Sequence, residues 1–185
     1  MKKFIAIMAA ALVVFGMSAS AYYDTWARNY VKLAVSVGIM QEKDEDGSQN
    51  ITRSHFCGLI YNVMNKKTGL ELSDDKLYSD TDSREIAALS AIGVIKGKGF
   101  GKFCPDDSLT REEAATIIAR AADIIGARQV GGEAPVFADA EEISDWAKGG
   151  IDRVARLGIM EGRGDNKFCP KITYSISEGI ATAVR

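Results

Sequence analysis

GVIKGKG at residues 93–99, followed by KFCP at 102–105 and LTREEAA at 109–115, is the stretch that decides the fold. The same pattern returns 65 residues later, as GIMEGRG at 158–164, KFCP at 167–170 and SISE at 175–178. A looser copy comes earlier, with GIM at 38–40 and ITRS at 51–54. Three copies of one unit are typical of a repeat protein, in which neighbouring units bury a core that none could bury alone.

The first helix of a unit is marked by a tryptophan. Trp26 and Trp146 are each followed twelve residues later by a glycine, Gly38 and Gly158, that ends the helical pattern. In the second unit Thr81 stands at the tryptophan spacing. Apolar residues between these markers recur every three or four positions, which predicts an amphipathic helix in each unit.

The second helix of a unit begins at a hydroxyl-bearing residue. Thr110 is followed three residues later by Glu113, which predicts a capping box, and Ser175 with Glu178 repeats it in the third unit. In the first unit Thr52 can cap without a partner glutamate. We therefore predict an all-α fold, with three helix-loop-helix repeats around one shared core.

The N-terminus has the features of a secretory signal. Lys2 and Lys3 precede an apolar run, and Ala19-Ser-Ala21 is a small-residue cleavage site. We expect residues 1–21 to be a signal peptide and the mature chain to be exported. The predicted repeats are residues 22–68, 69–130 and 131–185, forming one compact module.

Composition excludes several functional classes. The net charge of −2 lacks the strong positive field that nucleic-acid binding requires. Beyond the signal no apolar run is long enough to span a membrane. Three cysteines cannot all pair within one chain, so we expect unpaired thiols, with a single disulfide as the alternative. His55 is the only histidine, which leaves little material for a histidine-based catalytic or zinc site.

The ordered set of motifs resembles the S-layer homology domain, which is normally present as three tandem copies. The set comprises an aromatic-x-Asp opening, a Trp-Ala helix start, a Gly-Ile-Met turn, a glycine-rich loop ending in Lys-Phe-x-Pro and a Thr-Arg helix start. The resemblance covers residues 22–185.

This resemblance implies a pseudo-threefold bundle with grooves between neighbouring repeats. It also implies non-covalent binding to a secondary cell-wall polysaccharide, often one that carries pyruvate ketals, at the cell surface. In the family the groove is built from the tryptophan, the glycine-rich loop and the arginine of the Thr-Arg motif. At the matching positions this chain has Trp26, Trp146, Gly97, Lys98, Gly99, Gly162, Gly164, Arg53 and Arg111.

No repeat has the complete set of motifs. The third has Ile176 at the arginine position or, if it is aligned on Ile172-Thr173, Tyr174. The second lacks the tryptophan, and the first lacks the glycine-rich loop. At most one or two grooves are therefore expected to bind.

The residues themselves leave two questions open. Arg53 and Arg111 stand in the first turn of a helix, where acidic side chains are preferred. Either an anionic ligand or a neighbouring carboxylate could compensate for them. Trp26 and Trp146 could be core anchors or platforms on which a sugar ring stacks.

Other kinds of chemistry find little support in the sequence. The loop at 97–99 follows no strand and matches no phosphate-binding pattern, and the acidic loop at 44–50 lacks the ligand spacing of a calcium site. We expect no enzyme activity, cofactor or metal. The alternative to glycan binding is a surface-layer adaptor that binds other proteins.

Overall fold

The computed structural model describes residues 23–41, 46–128 and 135–185. The predicted signal peptide, part of the acidic loop and part of the last linker lie outside these ranges. Within these ranges the chain forms six α-helices and no β-strand, which confirms the all-α prediction. The helices are α1 (Arg28–Ser36), α2 (Arg53–Thr68), α3 (Arg84–Ala91), α4 (Arg111–Ile124), α5 (Asp145–Arg156) and α6 (Ile176–Val184), with a 3₁₀ turn at Ala140–Glu142.

The second helix of each unit (α2, α4 and α6) has the N-cap that the sequence predicts. Thr110 and Ser175 accept a hydrogen bond from the amide three residues on, and Glu113 and Glu178 return one, so both capping boxes are complete. Thr52 caps α2 by the first of these bonds alone. These local bonds determine where α2, α4 and α6 begin.

The helices of one unit pack mainly on those of its neighbours. The first helix of each unit lies against the second helix of the preceding unit: α3 packs on α2, and α5 packs on α4. The ring closes because α1 packs on α6, which joins the first unit to the last. Gly150 of α5 allows a close approach, since a Cβ there would lie 3.0 Å from the Thr116 backbone of α4.

Three buried residues hydrogen-bond in a closed ring where the units meet. The amide of Ile51 donates to the carbonyl of Tyr174 (2.8 Å), Tyr174 donates to Leu109 (2.8 Å), and Leu109 donates to Ile51 (3.2 Å). Each stands directly before an N-cap, so the ring relates the units by a pseudo-threefold axis. It also settles the alignment of the third unit: Ile176, not Tyr174, corresponds to the two arginines.

All three cysteines are free thiols. Cys57 is fully buried in α2, and burial raises the pKa of its thiol to about 12. Cys104 and Cys169 are half-buried and occupy equivalent turns with φ of 60° and 58°. The expectation of unpaired thiols is therefore met.

Candidate functional site

Two aspartates hold the turns that contain Cys104 and Cys169. The carboxylate of Asp139 accepts hydrogen bonds from the amides of Phe168 (2.8 Å) and Cys169 (2.7 Å). Asp80 makes the same pair of bonds in the second unit, both at 2.9 Å. The amide bonds lower the pKa of Asp80. Burial acts to raise the pKa of Asp139, but its amide bonds outweigh burial and the net shift is downward.

Arg53 reaches from α2 to the loop of the second unit. Its Nε donates to the carbonyl of Phe103 (3.0 Å) and its Nη2 to that of Lys96 (3.1 Å). The guanidinium also lies over the Phe103 ring, 4.5 Å from the ring centroid. Its Nη1 is 3.8 Å from a carboxylate oxygen of Glu113, whose other oxygen completes the cap of α4.

Arg111 repeats this arrangement one unit later. It donates to the carbonyls of Phe168 (2.9 Å) and Glu161, and its guanidinium lies 4.8 Å from the centroid of the Phe168 ring. Its Nη1 is 3.4 Å from a carboxylate oxygen of Glu178. Burial lowers the pKa of Arg111, and the nearby Tyr174 and Glu178 act in the opposite direction.

These contacts answer the question of what compensates for an arginine in a first helical turn. In both cases a glutamate of the next unit does so. Each guanidinium has five N–H donors, and the contacts with the protein leave some of them unused. Arg53 and Arg111 line grooves, but both are almost completely buried, at 5% and 6% exposed.

The groove at Arg53 combines residues of all three units. Arg53 comes from the first unit, Lys98 and Arg120 from the second, and Trp146 from the third. Its volume is about 180 Å³. The residues that line this Arg53 groove are Arg53, Lys96, Gly97, Lys98, Glu113, Thr116, Ile117, Arg120 and Trp146.

The groove at Arg111 is its pseudo-symmetric counterpart, of about 190 Å³. Here Arg111 comes from the second unit, Arg163 from the third and Trp26 from the first. The residues that line this Arg111 groove are Trp26, Arg111, Ile159, Met160, Glu161, Gly162, Arg163, Tyr174, Glu178, Ala181, Thr182 and Arg185.

The tryptophans are not core anchors. Trp146 is 57% exposed and Trp26 is 52% exposed, and each lines a groove together with an arginine from another unit. The fold therefore brings together the guanidinium and the indole that the sequence could only place in separate repeats. An exposed indole face beside a cation suits a sugar ring that has an anionic substituent.

The two grooves differ in how many of their cations have a partner among the residues that the structure describes. In the Arg111 groove, Arg163 is paired with Glu178, and Arg185 donates to the Tyr30 hydroxyl (3.0 Å). In the Arg53 groove, the half-buried side chain of Arg120 has no hydrogen bond or ion pair with any residue in the described ranges. Arg120 was not among the predicted site residues, although it lies seven positions after Glu113 on the same helix.

The glycine-rich loops contribute only part of what was predicted. Gly97 and Gly162 line the grooves, and a Cβ on Gly97 would lie 2.5 Å from the Lys102 carbonyl oxygen. Gly99 and Gly164 have φ of 103° and 111° and lie at the turns, outside the lining residues of either groove. Their conformation serves the turn.

The third inter-unit position differs from the other two. Ile176 stands there, and its amide donates to the Gln49 carbonyl (2.9 Å) as the Arg111 amide does to Ile172 (2.9 Å). A hollow beside α2 is lined by residues of the first unit alone, Met40 and Asn62 among them, and its described lining contains neither arginine nor tryptophan. In the ranges that the structure covers, no group of acidic, histidine or cysteine side chains could hold a metal ion. No helix there is long and apolar enough to cross a membrane.

A family model for the S-layer homology domain matches residues 75–115 and 136–171. These segments contain the glycine-rich loops of the second and third units. The first unit lies outside the matched segments, but Ile51 and Arg53 occupy the same places in the backbone ring and its groove as Leu109 and Arg111 do.

Several larger proteins contain a similar stretch. An exoglucanase of Acetivibrio thermocellus is 34% identical over 86% of this chain, an S-layer protein of Bacillus anthracis is 27% identical over 84%, and the surface-layer 125 kDa protein of Lysinibacillus sphaericus is 28% identical over 74%. The alignments span only 14%, 19% and 12% of those relatives. Most of the exoglucanase lies outside its alignment with this chain, so its enzyme name describes a much larger protein.

Proposed function

The chain belongs to the S-layer homology domain family, and from that premise we propose that it attaches non-covalently to the cell wall by binding an anionic polysaccharide in the Arg53 groove. The observation that carries the proposal is an arginine, Arg120, that has no partner among the described residues and lies in the same groove as an exposed indole, Trp146. Cell-surface association agrees with the surface-layer relatives.

Charge favours an anionic ligand at this groove. The described lining residues include four basic side chains and one acidic side chain, Glu113. Glu113 is already 3.5 Å from Lys98 and 3.8 Å from Arg53, which leaves Lys96 and Arg120 without a carboxylate partner among the described residues. A bound carboxylate would accept hydrogen bonds from the planar guanidinium of Arg120 in a bidentate pair.

The Arg111 groove is less suited to an anion. Its lining contains two glutamates, Glu161 and Glu178, and its outer arginines already have protein partners. An incoming anion would have to displace Glu178 from Arg163. We therefore assign the stronger binding to the Arg53 groove.

The proposed ligand is a polysaccharide whose sugars have carboxylate substituents, such as pyruvate ketals. A ketal-linked carboxylate projects from the ring, so the C–H face of the same sugar can pack on an indole while the carboxylate meets a guanidinium. Trp146 and Arg120 provide these two surfaces in a groove of about 180 Å³.

A protein-binding adaptor is the second candidate, and one observation favours it. At the end of the bundle away from the backbone ring, an apolar hollow of about 460 Å³ is lined by Leu33, Val37, Ile60, Val63 and Ile118, among others. This function predicts self-association or capture of surface-layer proteins without co-sedimentation with walls.

Co-sedimentation with purified cell walls tests the proposal. Arg120→Gln and Trp146→Ala should each weaken binding by about 10- to 100-fold. This is the effect expected from the loss of one hydrogen bond to a charged group or of one stacked ring. The matched controls are Arg185→Gln and Trp26→Ala, the equivalent changes in the Arg111 groove, which should have much smaller effects. Undiminished binding by both variants of the Arg53 groove would refute the assignment.

A further inference from the structure

The tips of the two glycine-rich loops are equivalent tight turns with different residues. In the third unit the turn is Asp165-Asn166, with φ of 46° and 53°, closed by a hydrogen bond from Lys167 to the Gly164 carbonyl (2.9 Å). Positive φ at both central positions is characteristic of the type I′ turn of tight hairpins, which favours asparagine, aspartate and glycine. The third unit therefore has the residues that this turn prefers.

The second unit has phenylalanine at the first of these positions. Phe100 has φ of 50° and Gly101 has φ of 68°, and the turn is closed by a bond from Lys102 to the Gly99 carbonyl (2.9 Å). A bulky residue at positive φ is a conformational outlier, because its Cβ crowds the backbone. Such strain persists only where the surroundings enforce it, and it is concentrated at functional sites.

The strain at Phe100 is not offset by packing. The side chain is fully exposed, with a relative accessibility of 103%, so the ring buries no surface against the protein. The turn itself is firmly held, because Lys98 donates to the Lys102 carbonyl (2.9 Å) and Ser79 donates to the Gly101 carbonyl (2.9 Å). The fold thus presents an unburied aromatic ring on a rigid support.

This ring stands close to the Arg53 groove. Lys98 lines the groove and is two residues from Phe100 in the chain, so their Cα atoms are at most about 7 Å apart, the span of two residues of extended backbone. Lys96, Lys98 and Lys102 flank the turn in the sequence, and Lys98 pairs with Asp107 (3.1 Å) and Glu113 (3.5 Å). An anionic polymer that is bound in the groove and continues past Lys98 would meet the Phe100 ring.

We propose that Phe100 is a second stacking platform, which binds a sugar residue of the same anionic polysaccharide next to the one held by Arg120 and Trp146. This inference rests on the proposed function. It adds that the protein recognises more than one sugar of the polysaccharide chain. This second contact is specific to the Arg53 groove, since the position equivalent to Phe100 beside the Arg111 groove is Asp165.

The test is Phe100→Asn, which installs a residue that tolerates positive φ and removes the ring. Binding of the full chain to wall polysaccharide released from peptidoglycan should weaken about three- to tenfold, while the thermal unfolding midpoint should stay the same or rise. Phe100→Tyr, which keeps an aromatic ring, should bind within about twofold of wild type.

The outcomes separate this inference from the proposal on which it rests. If Arg120→Gln loses binding and Phe100→Asn does not, the stacking role of Phe100 is wrong and the groove assignment stands. If the wild-type chain does not bind the polysaccharide, both are wrong. A marked fall in the unfolding midpoint of Phe100→Asn would also overturn the inference, because it would show that the ring serves the fold.

Discussion

Asp139→Ala should destabilise the protein by about 2–4 kcal/mol. The carboxylate is almost fully buried and accepts hydrogen bonds from the amides of Phe168 (2.8 Å) and Cys169 (2.7 Å). Alanine leaves both donors without an acceptor, and each buried unsatisfied group costs about 1–3 kcal/mol. Water can reach the half-buried Cys169 more easily than the buried Phe168, so the total lies below twice the upper value.

Urea denaturation and a thermal scan measure this effect. For a chain of this size, each kcal/mol lowers the melting temperature by about 2–4 °C, so the expected fall is roughly 5–15 °C. Because the Phe168 carbonyl accepts from Arg111, release of the turn should also disturb the Arg111 groove. Asp80→Ala removes equivalent bonds at a more exposed position and should cost less.

Asp152→Ala is the control, since Asp152 lies on the surface of α5 and pairs with Arg156 four residues on. An exposed pair of this kind contributes only about 0.3–0.5 kcal/mol. If Asp139→Ala and Asp152→Ala lowered stability by the same small amount, the turn would not depend on the buried carboxylate and the reasoning would fail.

The same aspartates predict acid sensitivity. The pKa values of Asp80 and Asp139 are lowered in the folded state. Their contribution to the free energy of unfolding is therefore complete above the usual carboxyl pKa of about 4 and is lost as the pH falls through the pKa values of the folded state. The midpoint of urea denaturation should decline below about pH 4, and it should decline less when both residues are changed to asparagine. Alanine should have opposite effects on stability at two helical glycines. A Cβ on Gly58 would meet no atom within 4 Å, so Gly58→Ala should stabilise the protein by about 0.5–1 kcal/mol. A Cβ on Gly179 would lie 2.6 Å from the Ile51 side chain, so Gly179→Ala should destabilise it by about 1–3 kcal/mol, as measured by thermal unfolding. Equal shifts for the two glycines would contradict the packing described for α6.

Sequence patterns predicted the features that are determined locally. The capping boxes at Thr110 and Ser175 involve residues three positions apart, so the sequence alone contains the information for them. The family resemblance implied a pseudo-threefold bundle, and the closed ring through Ile51, Leu109 and Tyr174 agrees with it.

The features that depend on how the units pack could not be predicted. Arg53 donates to a carbonyl 50 residues away, and no local pattern indicates which loop it reaches. The residues alone did not show whether Trp146 was a core anchor, because this depends on which neighbouring unit the helix meets. Arg120 was missed because its place in the groove, and its lack of a partner in the described part of the chain, depend on how the surrounding side chains pack.

The most direct test of the central claim is a binding cycle that combines a change in the polysaccharide with a change in the groove. Wild-type protein and Arg120→Gln are titrated with wall polysaccharide that bears pyruvate ketals and with the same material after mild acid has removed them. We predict that removal of the ketals weakens wild-type binding about 10- to 100-fold and that Arg120→Gln has little further effect on the stripped material, since one interaction is lost in both cases. Equal binding of both materials by the wild type, or two losses that simply add, would contradict the claim that Arg120 captures the carboxylate.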